Sequence, residues 1–144
     1  MAEGILKQLL EIESIEDIVV ESAGTMAPSG VSPTNFAVLT MVEMGIDISS
    51  HQARPLTEEL VKEVDLILVM EWAHQHFIEH FLSSARDKVF LVKTFGKERV
   101  EGNIEIDDPI GGDLDFYRMC GQILKQEIER ILPLILRMAG HPDR

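Results

Sequence analysis

The sequence predicts a three-layer α/β/α domain built on a mostly parallel sheet. Two short runs, Val64–Met70 and Val89–Val92, are almost continuously apolar, the pattern of strands covered on both faces. Helical patterns alternate with them along the chain, which is the order of a parallel layered sheet. At 144 residues and 45% hydrophobic content, the chain has the size of one domain, residues 1–144, around a single core.

Each element has a local reason. Residues 2–13 place Ile5, Leu6, Leu9 and Leu10 on one stripe, with Glu3, Lys7 and Glu11 elsewhere, so an amphipathic helix begins the chain. The β-branched run Ile18-Val19-Val20 then reads as a strand that ends at Ser22-Ala23-Gly24-Thr25, before a loop with Pro28 and Gly30. Ser32-Pro33 joins a capping hydroxyl to a proline at the first helical position. Phe36, Leu39, Met41 and Val42 continue that helix over 33–44, and Gly45 stops it. Thr57 followed by Glu58 and Glu59 opens a short helix over 57–64, its acids facing the positive end of the helix dipole. A further helix over 72–82 joins the two apolar runs. After a loop over 94–112, Asp113 caps the last helix, with Phe116, Cys120, Leu124, Ile128, Ile131 and Ile135 on its buried side. Pro133 is expected to kink this helix and Gly140 to end it. One requirement is unmet. The first helix of such a sheet serves as a crossover between two parallel strands, and no strand precedes it.

Composition narrows the function. A formal charge of −12, with Lys and Arg scattered singly, argues against nucleic acid as a partner. No apolar run is long enough to span a bilayer, and no leader pattern opens the chain, so no membrane partner and a cytoplasmic location are expected. Cys120 is the only cysteine, which excludes an intrachain disulfide and fits a reducing compartment. His76 and His80 have helical i,i+4 spacing, but no third ligand accompanies them and a solvated face is expected, as for Trp72 and His74; no metal and no cofactor is predicted.

The most informative stretch is Asp107-Asp108-Pro109-Ile110-Gly111-Gly112, because a carboxylate fixed by proline in a glycine-rich loop can be held over a site as a proton donor. An Asp-Pro turn before a helix has the same pattern. Four other segments accompany it in order: Met1-Ala2-Glu3-Gly4, Ser22-Ala23-Gly24-Thr25, Ser50-His51 ahead of Pro55-Leu56-Thr57, and Asp65-Leu66-Ile67-Leu68-Val69-Met70. Together these resemble the low-molecular-weight protein-tyrosine-phosphatase family over nearly the whole chain. Residues 55–60, the stretch Asp87-Lys88-Val89-Phe90 and the glycine pair are more similar to the bacterial branch, which includes protein-arginine phosphatases.

The resemblance implies a type I phosphotyrosine-phosphatase-like fold that hydrolyses a phosphorylated protein side chain through a cysteinyl-phosphate. In that family a Cys, five residues and Arg form a loop whose thiolate attacks phosphorus and whose Arg clamps the phosphoryl oxygens. That loop and the central strand before it are missing from this sequence, so the chain as given is expected to be N-terminally truncated and inactive. Cys120 does not replace the nucleophile, since it lies on an apolar helix face with Gln126 six residues on. Carried over by position, Asp108 is the general acid, with Asp107 as its rival. Ser22 and His51 support the phosphate loop, and Met26 and Ile110 wall the pocket with aliphatic chains where tyrosine-directed relatives often carry rings.

A missing central strand leaves two strand edges, at 18–23 and 64–70, without partners, and the charged amine at residue 1 should fray the first helical turn. A homodimer through those edges is one expected remedy. The competing functions are a phosphatase whose working form includes the loop, a non-catalytic partner-binding or dimerising module, and an arsenate-reductase-like activity. The last would need redox cysteines that the C-terminal half does not supply.

Overall fold

The computed structural model describes residues 1–85 and 87–142. Among the described residues, five α-helices and two strands follow one another as α1 (Ala2–Ile12), α2 (Asn35–Glu43), α3 (Glu58–Glu63), β1 (Ile67–Val69), α4 (Trp72–Phe81), β2 (Val89–Leu91) and α5 (Leu114–Met138), with one 3-10 turn, Ser83–Ala85, before β2. The chain divides into two compact units. One comprises Met1–Ser22, Ser32–Gln52 and the chain from Pro109 on, and the other Ala23–Val31 and Ala53–Asp108.

The first unit is helical. α5 presents Tyr117, Cys120, Gly121, Leu124, Ile128, Ile131, Ile135 and Leu136 as one buried stripe at three- and four-residue intervals, and α1 and α2 pack against it. Asp113 caps α5 by accepting the N–H of Phe116 at 2.9 Å, and Gly140, at φ +91°, closes its other end. Gly121 lets α2 come close: a methyl group there would lie 2.9 Å from Met44 Cε and 3.0 Å from Thr40 Cγ2. α5 runs from Leu114 to Met138 through Pro133 as one helix. Tyr117, rather than the half-buried Phe116, is the first fully buried aromatic of its stripe.

Three expectations are corrected here. α2 is capped by Thr34 rather than Ser32, with Pro33 ahead of the cap. The Thr34 hydroxyl both accepts the Ala37 N–H at 3.2 Å and donates to Tyr117 Oη at 3.0 Å, a tertiary partner that sequence does not reveal. Of the apolar residues expected to bury α2, only Met41 does so; Phe36, Leu39 and Val42 are 40–56% exposed, and Ala37 and Thr40 take the inward face. The first turn of α1 is closed, since Met1 C=O accepts the Ile5 N–H at 3.1 Å, and burial pushes the Met1 amine below its ordinary value against the opposing pull of Glu3.

The second unit holds the sheet. β1 and β2 are parallel, with Ile67, Leu68 and Val69 opposite Val89, Phe90 and Leu91, and α4 is the crossover between them. Val61, Val69, Ile78, Ala85, Val89 and Leu91 form its core. Thr57 caps α3 through the Leu60 N–H at 3.3 Å, as its sequence predicts.

The segment 18–23 does not become a strand. A ladder is defined by its partner, and among the described residues the nearby pairing is one parallel bridge, Gly24 with Pro55. Ile18 and Val20 instead pack on Leu10, Ile15 and Leu136, while Val19 stays 82% exposed.

Burial sets the expected sensitivity. Ile131→Ala, at a position with 0% exposure, should cost about 2–5 kcal/mol in chemical denaturation, whereas Val19→Ala should stay within about 0.5 kcal/mol of the parent. Equal effects at the two positions would refute this account of the core.

Candidate functional site

Two of the sequence-predicted site residues converge on a third that sequence reading did not single out. Glu3 lies in the first turn of α1, where a carboxylate faces the positive end of the helix dipole, and its side chain is 18% exposed. Ser22 donates its hydroxyl to Glu3 Oε2. His51 Nδ1 stands 3.7 Å from the same oxygen, close enough for an ion pair when the imidazole is protonated. Lys7, one turn along α1, donates to Glu3 Oε1 at 2.5 Å.

The surrounding backbone explains this placement. Asp47 Oδ1 accepts the Ser49 N–H at 2.8 Å, and the His51 N–H donates to Ile48 O at 3.0 Å, so two tight turns deliver the imidazole. Ser22 lies two residues past Val20, which with Ile18 packs against Leu10 of α1, Ile15 and Leu136. Burial alone would push the Glu3 carboxyl up. Hydrogen bonds from Lys7 and Ser22, with the charges of Lys7 and His51, outweigh it and leave the group below its ordinary value of 4.5.

In the second unit, Asp107 and Asp108 are exposed and follow a firmly held stretch. Ile106, 3% exposed, donates its N–H to Met70 O at 2.9 Å, just past β1. Glu105 accepts the Trp72 N–H at 2.6 Å. An exposed carboxylate held this way can reach a ligand and exchange a proton with it.

Pro109 begins the part of the chain that belongs to the first unit. Its carbonyl accepts the Gly112 N–H at 2.9 Å in a tight turn, and Gly111 takes φ +83°. A methyl group at Gly112 would meet Phe116 Cδ1 at 2.5 Å and Pro109 O at 3.0 Å, so any larger residue there has to shift the Phe116 ring. Ile110 is 70% exposed in this turn, and Met26 is 88% exposed in the other unit.

Other candidates fall away on position. Cys120 is 1% exposed within α5. His76 stacks on Trp72 at 4.8 Å and lies 6.3 Å from His80, a ladder of nearly parallel rings rather than converging nitrogens. Among the described residues, no group of three or more His, Cys, Asp or Glu could hold a metal, and no helix is long and apolar enough to cross a membrane. Glu3 could have been noticed from its i,i+4 spacing to Lys7, but its contacts with Ser22 and His51 span 19 and 48 residues and leave no local signal.

Similarity to known proteins extends over both units. A family model described as low molecular weight phosphotyrosine protein phosphatase matches residues 1–139. A protein named protein-arginine-phosphatase from Bacillus subtilis (strain 168) is 35% identical over 133 residues, 92% of this chain and 82% of that protein. The low molecular weight protein-tyrosine-phosphatase Ptp of Acinetobacter johnsonii is 40% identical over 118 residues, covering 81% and 75%. Among solved structures, a mutant YwlE arginine phosphatase with a phosphorylated active-site serine superposes with a TM-score of 0.86 at 31% identity, covering 99% of this chain and 90% of that one. A low molecular weight protein tyrosine phosphatase from T. tengcongensis gives 0.82 at 33% identity, with 91% and 86% covered.

The depressed Glu3 carboxyl makes a signed prediction. Its contribution to stability is present above 4.5 and lost as pH falls through its lower folded value. Glu3→Gln should therefore flatten the loss of stability below pH 4.5, measured by urea denaturation across that range. An unchanged pH profile would show that the cluster is not formed.

Proposed function

The chain belongs to the low molecular weight phosphotyrosine protein phosphatase family, and from that premise we propose that it serves the hydrolysis of phosphorylated protein side chains, with Asp108 protonating the leaving group. The observation that carries this reading is the single family match from residue 1 to 139, which crosses both compact units. That continuity also supports treating residues 1–144 as one phosphatase-like domain.

The roles follow from chemistry. Expelling an alkoxide, phenoxide or guanidine nitrogen from phosphorus requires a proton at the departing atom, and the same group, once deprotonated, can activate water against a phosphoenzyme. Asp108 immediately precedes Pro109 and is exposed, as a donor to a bound ligand must be. Ser22 and His51, gathered on Glu3, are the supports against which a phosphate-binding loop would rest. Met26 and Ile110 are exposed aliphatic side chains at positions where the family resemblance implies rings in tyrosine-directed relatives, which favours phosphoarginine over the ring stacking that suits phosphotyrosine. The name of the Bacillus subtilis relative agrees with that preference.

No residue among the 144 is assigned as nucleophile. Cys120 is the only thiol, it is buried, and Gln126 stands six residues after it where a phosphate loop needs Arg. This observation favours a second reading, a non-catalytic module that binds phosphorylated partners or pairs with itself.

Two measurements separate the readings. The 144-residue chain should release no phosphate from aryl phosphates or from arginine-phosphorylated protein in a thiol-dependent way. In protein purified from its own cells, turnover that Asp108→Asn lowers by about 10²–10⁴-fold supports the hydrolase. A folded native protein with the mass of these 144 residues and no turnover supports the module instead.

A further inference from the structure

Glu105 lies three residues before Asp108, and its carboxylate reaches across 33 positions of sequence to accept the backbone N–H of Trp72 at 2.6 Å. Trp72 is the first residue of α4, and Glu71, which occupies that helix's cap position, makes no side-chain cap bond. The helix end is therefore closed by a distant carboxylate, which the dipole at a helix N-terminus favours and which makes a stronger bond than a neutral acceptor. The neighbouring backbone repeats the attachment. Ile106 N–H donates to Met70 O at 2.9 Å, Glu105 N–H donates to Asn103 Oδ1 at 2.9 Å, and Asn103 O accepts Lys93 Nζ at 3.0 Å. Residues 103–106 are thus tied to the end of β1, the start of α4 and the chain just after β2, while Asp107 and Asp108 follow without regular secondary structure.

We propose that Glu105 is a positioning residue, whose bond to the Trp72 N–H fixes the segment carrying Asp107 and Asp108 and so sets where the proton donor is held. This rests on the reading of Asp108 given above. A displacement of the Asp108 carboxyl by roughly 1 Å, once the Glu105 attachment is lost, is enough to cost a catalytic group about 100-fold. A cap that merely stabilised α4 would act on the helix alone, whereas a positioning residue acts also on the segment that bears it.

Amide hydrogen exchange on the 144-residue chain distinguishes these, read residue by residue with the amides of Ile67 and Val92, which donate to Lys88 O and Val69 O, as internal controls. Glu105→Ala should speed exchange roughly 2- to 30-fold at Trp72, the range of a lost capping acceptor, and at Ile106 as well, with the two control amides unchanged. Glu105→Gln, which keeps a carbonyl oxygen in place, should restore protection at both. The proposal is overturned if the effect of Glu105→Ala stops at Trp72 and α4, if all protection is absent in the parent chain, or if Gln performs no better than Ala. Exchange is blind to turnover, so failure of Asp108 as the proton donor appears separately, in the activity of Asp108→Asn.

Discussion

Every backbone N–H withdrawn from water needs an acceptor, and this chain meets that demand largely without a wide sheet. Among the described residues the ladder has two strands of three residues each, so side chains supply many of the remaining partners. Asp113, Thr34 and Thr57 close the starts of α5, α2 and α3, Asp47 closes a turn, and Glu105 closes α4 from a distance. Lys88 meets the matching need for a donor, giving its ammonium to Val64 O at 2.5 Å just ahead of β1. The functional candidates are built on these same attachments, since Ser22 and His51 are ordered by a carboxylate and Asp108 follows a stretch that another carboxylate anchors.

The two cores differ in how much they depend on such bonds. In the first unit α5 offers an uninterrupted buried stripe, and its neighbours need only present apolar faces to it. In the second, the crossover β1–α4–β2 must hold parallel strands in register, and the bonds at its margins extend that register. Ile67 N–H reaches Lys88 O, Val92 N–H reaches Val69 O, and Ile106 N–H reaches Met70 O. The last of these continues the strand end toward Asp107 and Asp108, which is how a fold-level pairing becomes a positional constraint on a candidate site.

What was legible in the sequence follows the range of the interaction. Caps at Thr57 and Asp113, the stop at Gly140 and the α5 stripe from Cys120 to Ile135 depend on residues within a few positions and are readable, whereas Tyr117 takes the inward place expected for Phe116. The α2 cap lies two residues beyond the Ser32-Pro33 signal because Thr34 is fixed partly by Tyr117, 83 residues away. The run Ile18-Val19-Val20 has strong strand propensity, but propensity supplies no partner, and the segment forms no ladder. Ser22 and His51 stand out through a family pattern rather than through anything local. Their meeting point, Glu3, stands in the segment Met1-Ala2-Glu3-Gly4 and one turn before Lys7, and neither signal points to Ser22 or His51.

The charge of the whole chain bears on the site less than its magnitude suggests. At −12 it would repel a phosphorylated partner at long range, yet at about 0.1 M salt such a field decays within roughly 10 Å. Binding of an anion is therefore decided by the few groups beside it. Around Glu3 those groups are already balanced, with Lys7 on one oxygen and the Ser22 hydroxyl and His51 imidazole on the other. A carboxylate satisfied in this way can order its neighbours at the start of α1 without adding an uncompensated negative charge there, so it does not cancel the positive potential that a helix N-terminus carries.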